Sequence, residues 1–146
     1  MMKTRLRPLA AAAGLLCILC GQGAAAPFAV TDAMNRTVEF AAPPGRIVIA
    51  GKASFMVADA AYLFPEARER IVAQSGGASS REGSGDFLTT IIGTRPAPLM
   101  LPGNAGVETV ASARPDAVLL KSSSARLGDG LRRIGIPVVY LDFETP

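Results

Sequence analysis

The last third of the chain repeats one pattern: an apolar stripe at helical spacing, an unbroken apolar run, and then the same pair again. Val107, Val110 and Ala111 share one helix face. Pro115 closes that helix, because its ring removes a donor and biases Arg114 away from helical geometry. Ala117–Leu120 has no polar position, which suits a strand covered on both faces. Ser122–Ser124 stand where hydroxyls cap a helix, with Leu127, Leu131 and Ile134 as its inward stripe. Gly135 supplies the left-handed stop, and Pro137 opens a final strand, Val138–Leu141. Buried strand, helix and buried strand in that order predict a right-handed crossover in a parallel sheet.

Upstream, Phe28–Asp32 and Thr37–Phe40 read as two short strands around a turn at Ala33–Arg36, with Asn35 as the turn residue. Val30, Val38 and Phe40 form the inward side of that hairpin. Ala41–Gly45 is a rigid Pro-Pro connector, and Arg46–Ala50 is a parallel strand. After the turn Gly51–Ser54, a helix over Phe55–Phe64 turns Met56, Ala60 and Leu63 or Phe64 toward the sheet. Pro65 starts a short helix through Arg70, and Ile71–Gln74 is a further strand. Ser75–Gly85 is a Gly/Ser-rich loop, Phe87–Ile92 a short helix ended by Gly93, and Arg95–Pro102 an extended segment. No repeat of solenoid type occurs.

Met1–Arg7 is basic, Leu9–Leu19 almost wholly apolar and Gly21–Ala26 small, which is the order of a secretory signal. The apolar part is shorter than the roughly 18 residues of a membrane span. Pro27 disfavours cutting after Ala26, so the expected cut follows Ala25. The organisation is then a signal over 1–25 and one domain over 26–146. Of 15 Lys+Arg, Lys3, Arg5 and Arg7 lie in the signal, leaving 12 against 12 Asp+Glu. The exported chain is formally neutral, which removes the basic surface that nucleic-acid binding needs. Cys17 and Cys20 fall inside the apolar core, where their C-x-x-C spacing is filler rather than redox chemistry. A lipoprotein anchor on Cys20 is the alternative, although Leu19 is larger than the residue that usually precedes such a cysteine.

The chain has no His, which excludes Ser-His-Asp and Cys-His catalysis and a histidine base. It has no G-x-S-x-G elbow and no phosphate-binding P-loop, and Gly83–Leu88 only approaches a dinucleotide fingerprint. Without Cys or His after the signal there are no good zinc or copper ligands, and no Asp-rich loop suits calcium. The expectation is a non-enzyme with no cofactor and no metal site of its own. What remains is a binding edge, because open α/β sheets hold ligands beyond the carboxyl ends of their strands. Those ends carry Gly51, Lys52 and Ser54, then Ser75 and Gly76, then Lys121, Ser122, Ser123 and Ser124. Lysines beside serines and helix N-termini suit an anionic or chelated ligand; simple capping with solvated lysines is the competing reading.

VTDAMNRTVEF (30–40), PPGRIVIAG (43–51), NAGVETVASARPDAVLL (104–120) and GIPVVYLD (135–142) together resemble the N-terminal lobe of periplasmic substrate-binding proteins of iron-siderophore, haem and cobalamin ABC importers. The block with Glu108, Arg114, Pro115 and Asp116 is the most specific. The resemblance implies an α/β fold: a Rossmann-like parallel sheet flanked by helices, with an N-terminal β-hairpin, forming one lobe of a two-lobe, helix-bridged binding protein. It implies capture of a metal chelate and delivery to a membrane permease, with Glu108 docking against a permease arginine. Two departures stand out: Lys52-Ala53-Ser54-Phe55 where the family often has a Pro and a Thr/Ser-Glu pair, and Ala73-Gln74 in place of Gly-Val. Tyr62 and Tyr140 are the only tyrosines available as haem ligands. The expected bridging helix would begin near Pro146, so the second lobe lies beyond this sequence. A stand-alone single-lobe binding module and a small exported Rossmann-like enzyme are the alternatives from other classes.

Overall fold

A computed structural model of the chain describes residues 26–76 and 98–143. The export segment with Cys17 and Cys20, the loop from 77 to 85, the expected helix Phe87–Ile92 and the start of the extended segment at Arg95 lie outside the described residues. Strands β1 (Phe28–Thr31) and β2 (Thr37–Phe40) pair antiparallel, with Val30 opposite Val38 and Phe28 opposite Phe40. The rings of Phe28 and Phe40 stack at 5.3 Å. The turn between the strands is shaped by Asp32, whose Oδ1 accepts the N–H groups of Met34 and Arg36 at 2.9 and 3.0 Å. Asn35 adopts the left-handed conformation, φ 55°, that its short polar side chain tolerates.

The main sheet has five strands in the order β5-β4-β3-β6-β7, where β3 is Ile47–Ala50, β4 Ile71–Gly76, β5 Leu99–Pro102, β6 Ala117–Lys121 and β7 Val138–Leu141. All four pairings are parallel. Helices α1 (Ser54–Ala61) and α2 (Pro65–Arg70) cover one face, against Ile49, Val57, Ala58, Tyr62 and Ile71. Helices α3 (Val107–Ser112) and α4 (Ala125–Arg133) cover the other, against Val48, Ala50, Val110, Leu120 and Leu131. β3 is apolar on both faces because it is the middle strand of this doubly wound sheet.

A reciprocal clamp aligns the starts of β3 and β6. Asp116 Oδ2 accepts the N–H groups of Gly45 and Arg46 at 3.0 and 2.9 Å. Arg46 returns the contact, donating from Nε to the Arg114 carbonyl and from Nη2 to the Ala113 carbonyl, at 2.9 and 2.8 Å. Those carbonyls are turned outward because the chain before Pro115 passes through φ 50° at Arg114. Proline ended the helix as expected, and the residue before it left helical geometry.

Several expectations are corrected. Helix α1 runs Ser54–Ala61, and its inward face is Ser54, Val57 and Ala58, continued by buried Tyr62; Leu63 and Phe64 lie past its end, at 60% and 63% exposure. The phase is set at its start, where Ser54 Oγ donates to the Ser75 carbonyl and turns position 54 inward. Ile134 is exposed instead of completing the α4 stripe. It is the residue after the helix ends, and Ile136 packs on the core in its place. Ser75 and Gly76 belong to β4 and do not begin a loop. The extended segment near Pro102 supplies β5, an edge strand paired to β4 with Ser75 opposite Leu101. Ser122–Ser124 form a 3₁₀ turn and make no side-chain cap on α4. The Ser124 hydroxyl is engaged elsewhere.

Candidate functional site

The strand order reverses at β3. From it the chain goes to β4 and β5 on one side, and later to β6 and β7 on the other. The crevice beyond the carboxyl ends of β3 and β6 is therefore the switch point where open α/β sheets take ligands. The turn leaving β3 is tightly held. Gly51 has φ 82° and Ala53 φ 53°, so two left-handed residues flank Lys52. The Lys52 N–H donates to Ser124 Oγ at 2.9 Å, joining the two loops of the crevice. Ser54, 6% exposed, ties the start of α1 to the end of β4 through the Ser75 carbonyl. The Lys52 side chain projects from this turn and is exposed, and Phe55 beside it is 44% exposed.

The other sequence-predicted residues distribute unequally around this edge. Ser122 is half-buried and donates to Asp142 Oδ2 at 3.2 Å, and Ser123 is exposed. Lys121, at 7% exposure, is drawn into the protein; alternation along β6 puts it on the α1 face with Leu119. Ser75 is fully buried, its side chain on the opposite face with Ala73, and its Oγ has no hydrogen-bond partner among the described residues. The geometry thus brings Lys52, Ser122 and Ser123 to one edge, turns the Ser54 hydroxyl inward beneath it, and withdraws the side chains of Lys121 and Ser75 from it. Glu108 is exposed in the first turn of α3, the helix that follows the carboxyl end of β5.

Ser124 and Ala53 gained no individual role from the sequence. Ser124 lay in a serine run that reads equally well as a helix cap. A left-handed alanine leaves no mark in the chain at all. Gly51 directly after a strand was the usable signal, since a Cβ there would overlap the Ser124 side chain.

Both tyrosines are inside. Tyr140 is 1% exposed and its hydroxyl donates to the Ala125 carbonyl at 3.1 Å. Burial pushes that hydroxyl's pKa up, which keeps it neutral. Tyr62 is 3% exposed, on the α1 face beside Gln74. Neither stands at the edge where a ligand would meet it. Among the described residues no group of three or more His, Cys, Asp or Glu side chains gathers as a metal site.

No protein-family profile matches the chain, and no curated protein matches it by sequence. Solved structures do. A periplasmic solute-binding protein from Veillonella parvula superposes with a TM-score of 0.55 and 20% identity, over 82% of this chain and 36% of that one. The heme-binding protein HmuT superposes with a TM-score of 0.50 and 16% identity, over 82% of this chain and 36% of its own. The chain has the fold of the N-terminal lobe of a substrate-binding protein. The lobe spans about a third of the length of these neighbours. Its hairpin and doubly wound parallel sheet are the architecture expected from the four sequence blocks.

Proposed function

We propose that this chain is the N-terminal lobe of an exported substrate-binding component of an ABC importer, which captures a metal chelate and delivers it to a membrane permease. The supporting observation is a likeness over 82% of the chain to a periplasmic solute-binding protein, joined to a switch-point edge that carries an exposed lysine and hydroxyls. In this reading residues 1–25 are the export signal, residues 26–146 are the lobe, and the protein works in the periplasm, with a lipid anchor on Cys20 as the alternative. A second lobe completes the cleft. The cargo is a metal chelate, such as a ferric siderophore, a corrinoid or haem, or another anionic ligand, and the protein binds it without chemical turnover.

In this reading Lys52 supplies the positive charge, and the N-terminal end of α1 adds a favourable dipole. Ser122 and Ser123 contribute hydroxyls, Ser54 fixes the start of α1 through the Ser75 carbonyl, and Ser75 and Lys121 shape the edge from beneath. Glu108, exposed and away from the core, docks against a permease arginine. Titration calorimetry with haemin, cyanocobalamin and ferric citrate tests the proposal. Saturable binding of one of them, with the chelate recovered unchanged, is the expected result. Chemical conversion of the chelate, or no binding of any, would sink it. Glu108→Ala should cut import through the permease while leaving ligand affinity intact; unchanged import would remove Glu108 from the docking surface.

A further inference from the structure

The turn between β3 and α1 is more constrained than a connection of its length requires. Gly51 and Ala53 both sit at positive φ. For alanine this conformation is sterically costly, and it persists only where the surroundings enforce it. Such enforced turns concentrate at ligand clamps, so the outlier itself asks for a role. The enforcing contact comes from the far side of the crevice. Ser124, 8% exposed, is placed by the 3₁₀ turn after β6, and its Oγ accepts the Lys52 N–H at 2.9 Å. The same side chain fills the space that a Cβ on Gly51 would occupy. Ser124 thereby fixes two consecutive residues of the turn, one through a hydrogen bond and one through packing. On the other side of the turn, Ser54 is fixed to β4 through the Ser75 carbonyl. The segment between these two anchors carries one charged group, the exposed Lys52 side chain.

We propose that Ser124 is a positioning residue: by capturing the Lys52 N–H across the switch point, it holds the Gly51–Ala53 turn in the conformation that presents the Lys52 ammonium to an anionic ligand. This rests on the binding reading above and adds to it a residue that does not itself touch the ligand. A rigid turn loses little freedom when the ligand arrives, so affinity is gained by preorganisation rather than by a further contact. It also explains why hydroxyl and glycine occur as a pair. The hydroxyl needs the glycine in order to approach, and the glycine needs the hydroxyl in order to be held.

The test uses the exported chain, isotopically labelled, and gallium(III) citrate, an anionic chelate that is compatible with magnetic resonance. In Ser124→Ala, amide exchange at Lys52 should rise sharply, and affinity for gallium citrate should fall about tenfold, the loss of roughly one hydrogen bond's worth of order. Gly51→Ala, which attacks the same contact from the other side, should reproduce both effects. Ser112→Ala, on a hydroxyl that donates to the Thr109 carbonyl within α3, serves as control and should show neither effect. The deciding measurement is the double variant. If Ser124 acts through Lys52, then Ser124→Ala should cost nothing further once Lys52→Ala is present. Additive losses would overturn the proposal, as would unchanged Lys52 exchange in Ser124→Ala. If wild type fails to bind gallium citrate, the binding reading fails for that chelate class. Lys52 exchange then decides by itself whether Ser124 holds the turn.

Discussion

Asp32 and Arg36, four residues apart on the hairpin turn, together close the outer edge of β7. Arg36 donates to Asp32 Oδ2 from both Nε and Nη2, and Nη2 also reaches the Val138 carbonyl at 3.0 Å. The Tyr140 N–H points at Asp32 Oδ2, and the Tyr140 carbonyl accepts the Ala33 N–H at 3.0 Å. The Arg36 guanidinium lies 4.3 Å from the Tyr140 ring centroid. An edge strand with open backbone groups is a template for pairing with another chain. Here a partly buried ion pair and one backbone donor occupy the groups that such a chain would use. Asp32→Ala should therefore destabilise the protein by about 1–3 kcal/mol, the cost of leaving the N–H groups of Met34 and Arg36 and the half-buried Arg36 guanidinium without their acceptor. Urea unfolding measures this. Light scattering at rising concentration should show self-association of the variant through the opened edge.

The same pair sets an acid limit. Burial alone would push the Asp32 carboxyl up, but hydrogen bonds from the Arg36 side chain and from the N–H groups of Arg36, Met34 and Tyr140 outweigh it and hold it below its ordinary value. The stabilisation that follows is complete above the ordinary value of 3.8 and is lost as pH falls through the lower folded value. Urea midpoints for wild type should fall on acidification through that window. In Asp32→Asn the fall should be smaller, because there is no carboxylate left to protonate.

Asp59 carries the opposite sign. Its Oδ1 is buried without a hydrogen-bond partner among the described residues, and burial raises its carboxyl above 3.8. The charged form is penalised in the folded state, so the penalty is full above the folded value and vanishes below 3.8. Asp59→Asn should raise the urea midpoint at pH 7, and the gain should disappear in strong acid. A midpoint unchanged at pH 7 would show that the carboxylate is solvated.

Gly128 on α4 lies directly against Tyr140, where an added Cβ would fall 2.7 Å from Cζ and 3.1 Å from Leu120 Cδ1. Gly128→Ala should cost about 1–3 kcal/mol by overpacking, despite the better helix propensity of alanine. Tyr140→Phe removes the hydroxyl at the point of overlap and should recover part of that loss. The double variant in thermal unfolding checks the coupling.

Arg46 and Asp116 stabilise one another's segments through backbone partners rather than through a direct ion pair. Asp116→Ala leaves the Gly45 and Arg46 N–H groups without an acceptor and should cost about 1–2 kcal/mol at this exposed site. Arg46→Ala should cost less in the Asp116→Ala background than in wild type. Equal costs would mean that the two halves of the clamp act independently.

Much of this fold was legible because its information is local. Unbroken apolar runs such as Ile47–Ile49 and Ala117–Leu120 leave a strand no polar face to turn outward, which forces a sheet covered on both sides. Pro115 and Gly135 mark helix ends by their own backbone limits, and Asn35 marks its turn in the same way. The carboxyl-end residues Lys52, Ser54, Ser122 and Ser123 followed from strand order alone. What the sequence left open depended on contacts between distant segments. The phase of α1 was fixed by the Ser54 bond to Ser75, 21 residues away, and not by the weakly periodic Met56, Ala60 and Leu63. Leu99–Pro102 became a strand because β4 offered it an edge, although the prolines of Arg95–Pro102 suggested only an extended segment. Lys121 and Ser75 were withdrawn by alternation and sheet position, since a side chain at a strand end faces the crevice or the core according to the register. Ser124 found the Lys52 N–H across a separation of 72 residues. Such a bond has no sequence signature: it exists only once two parallel strands, made adjacent by a crossover, bring their carboxyl ends together.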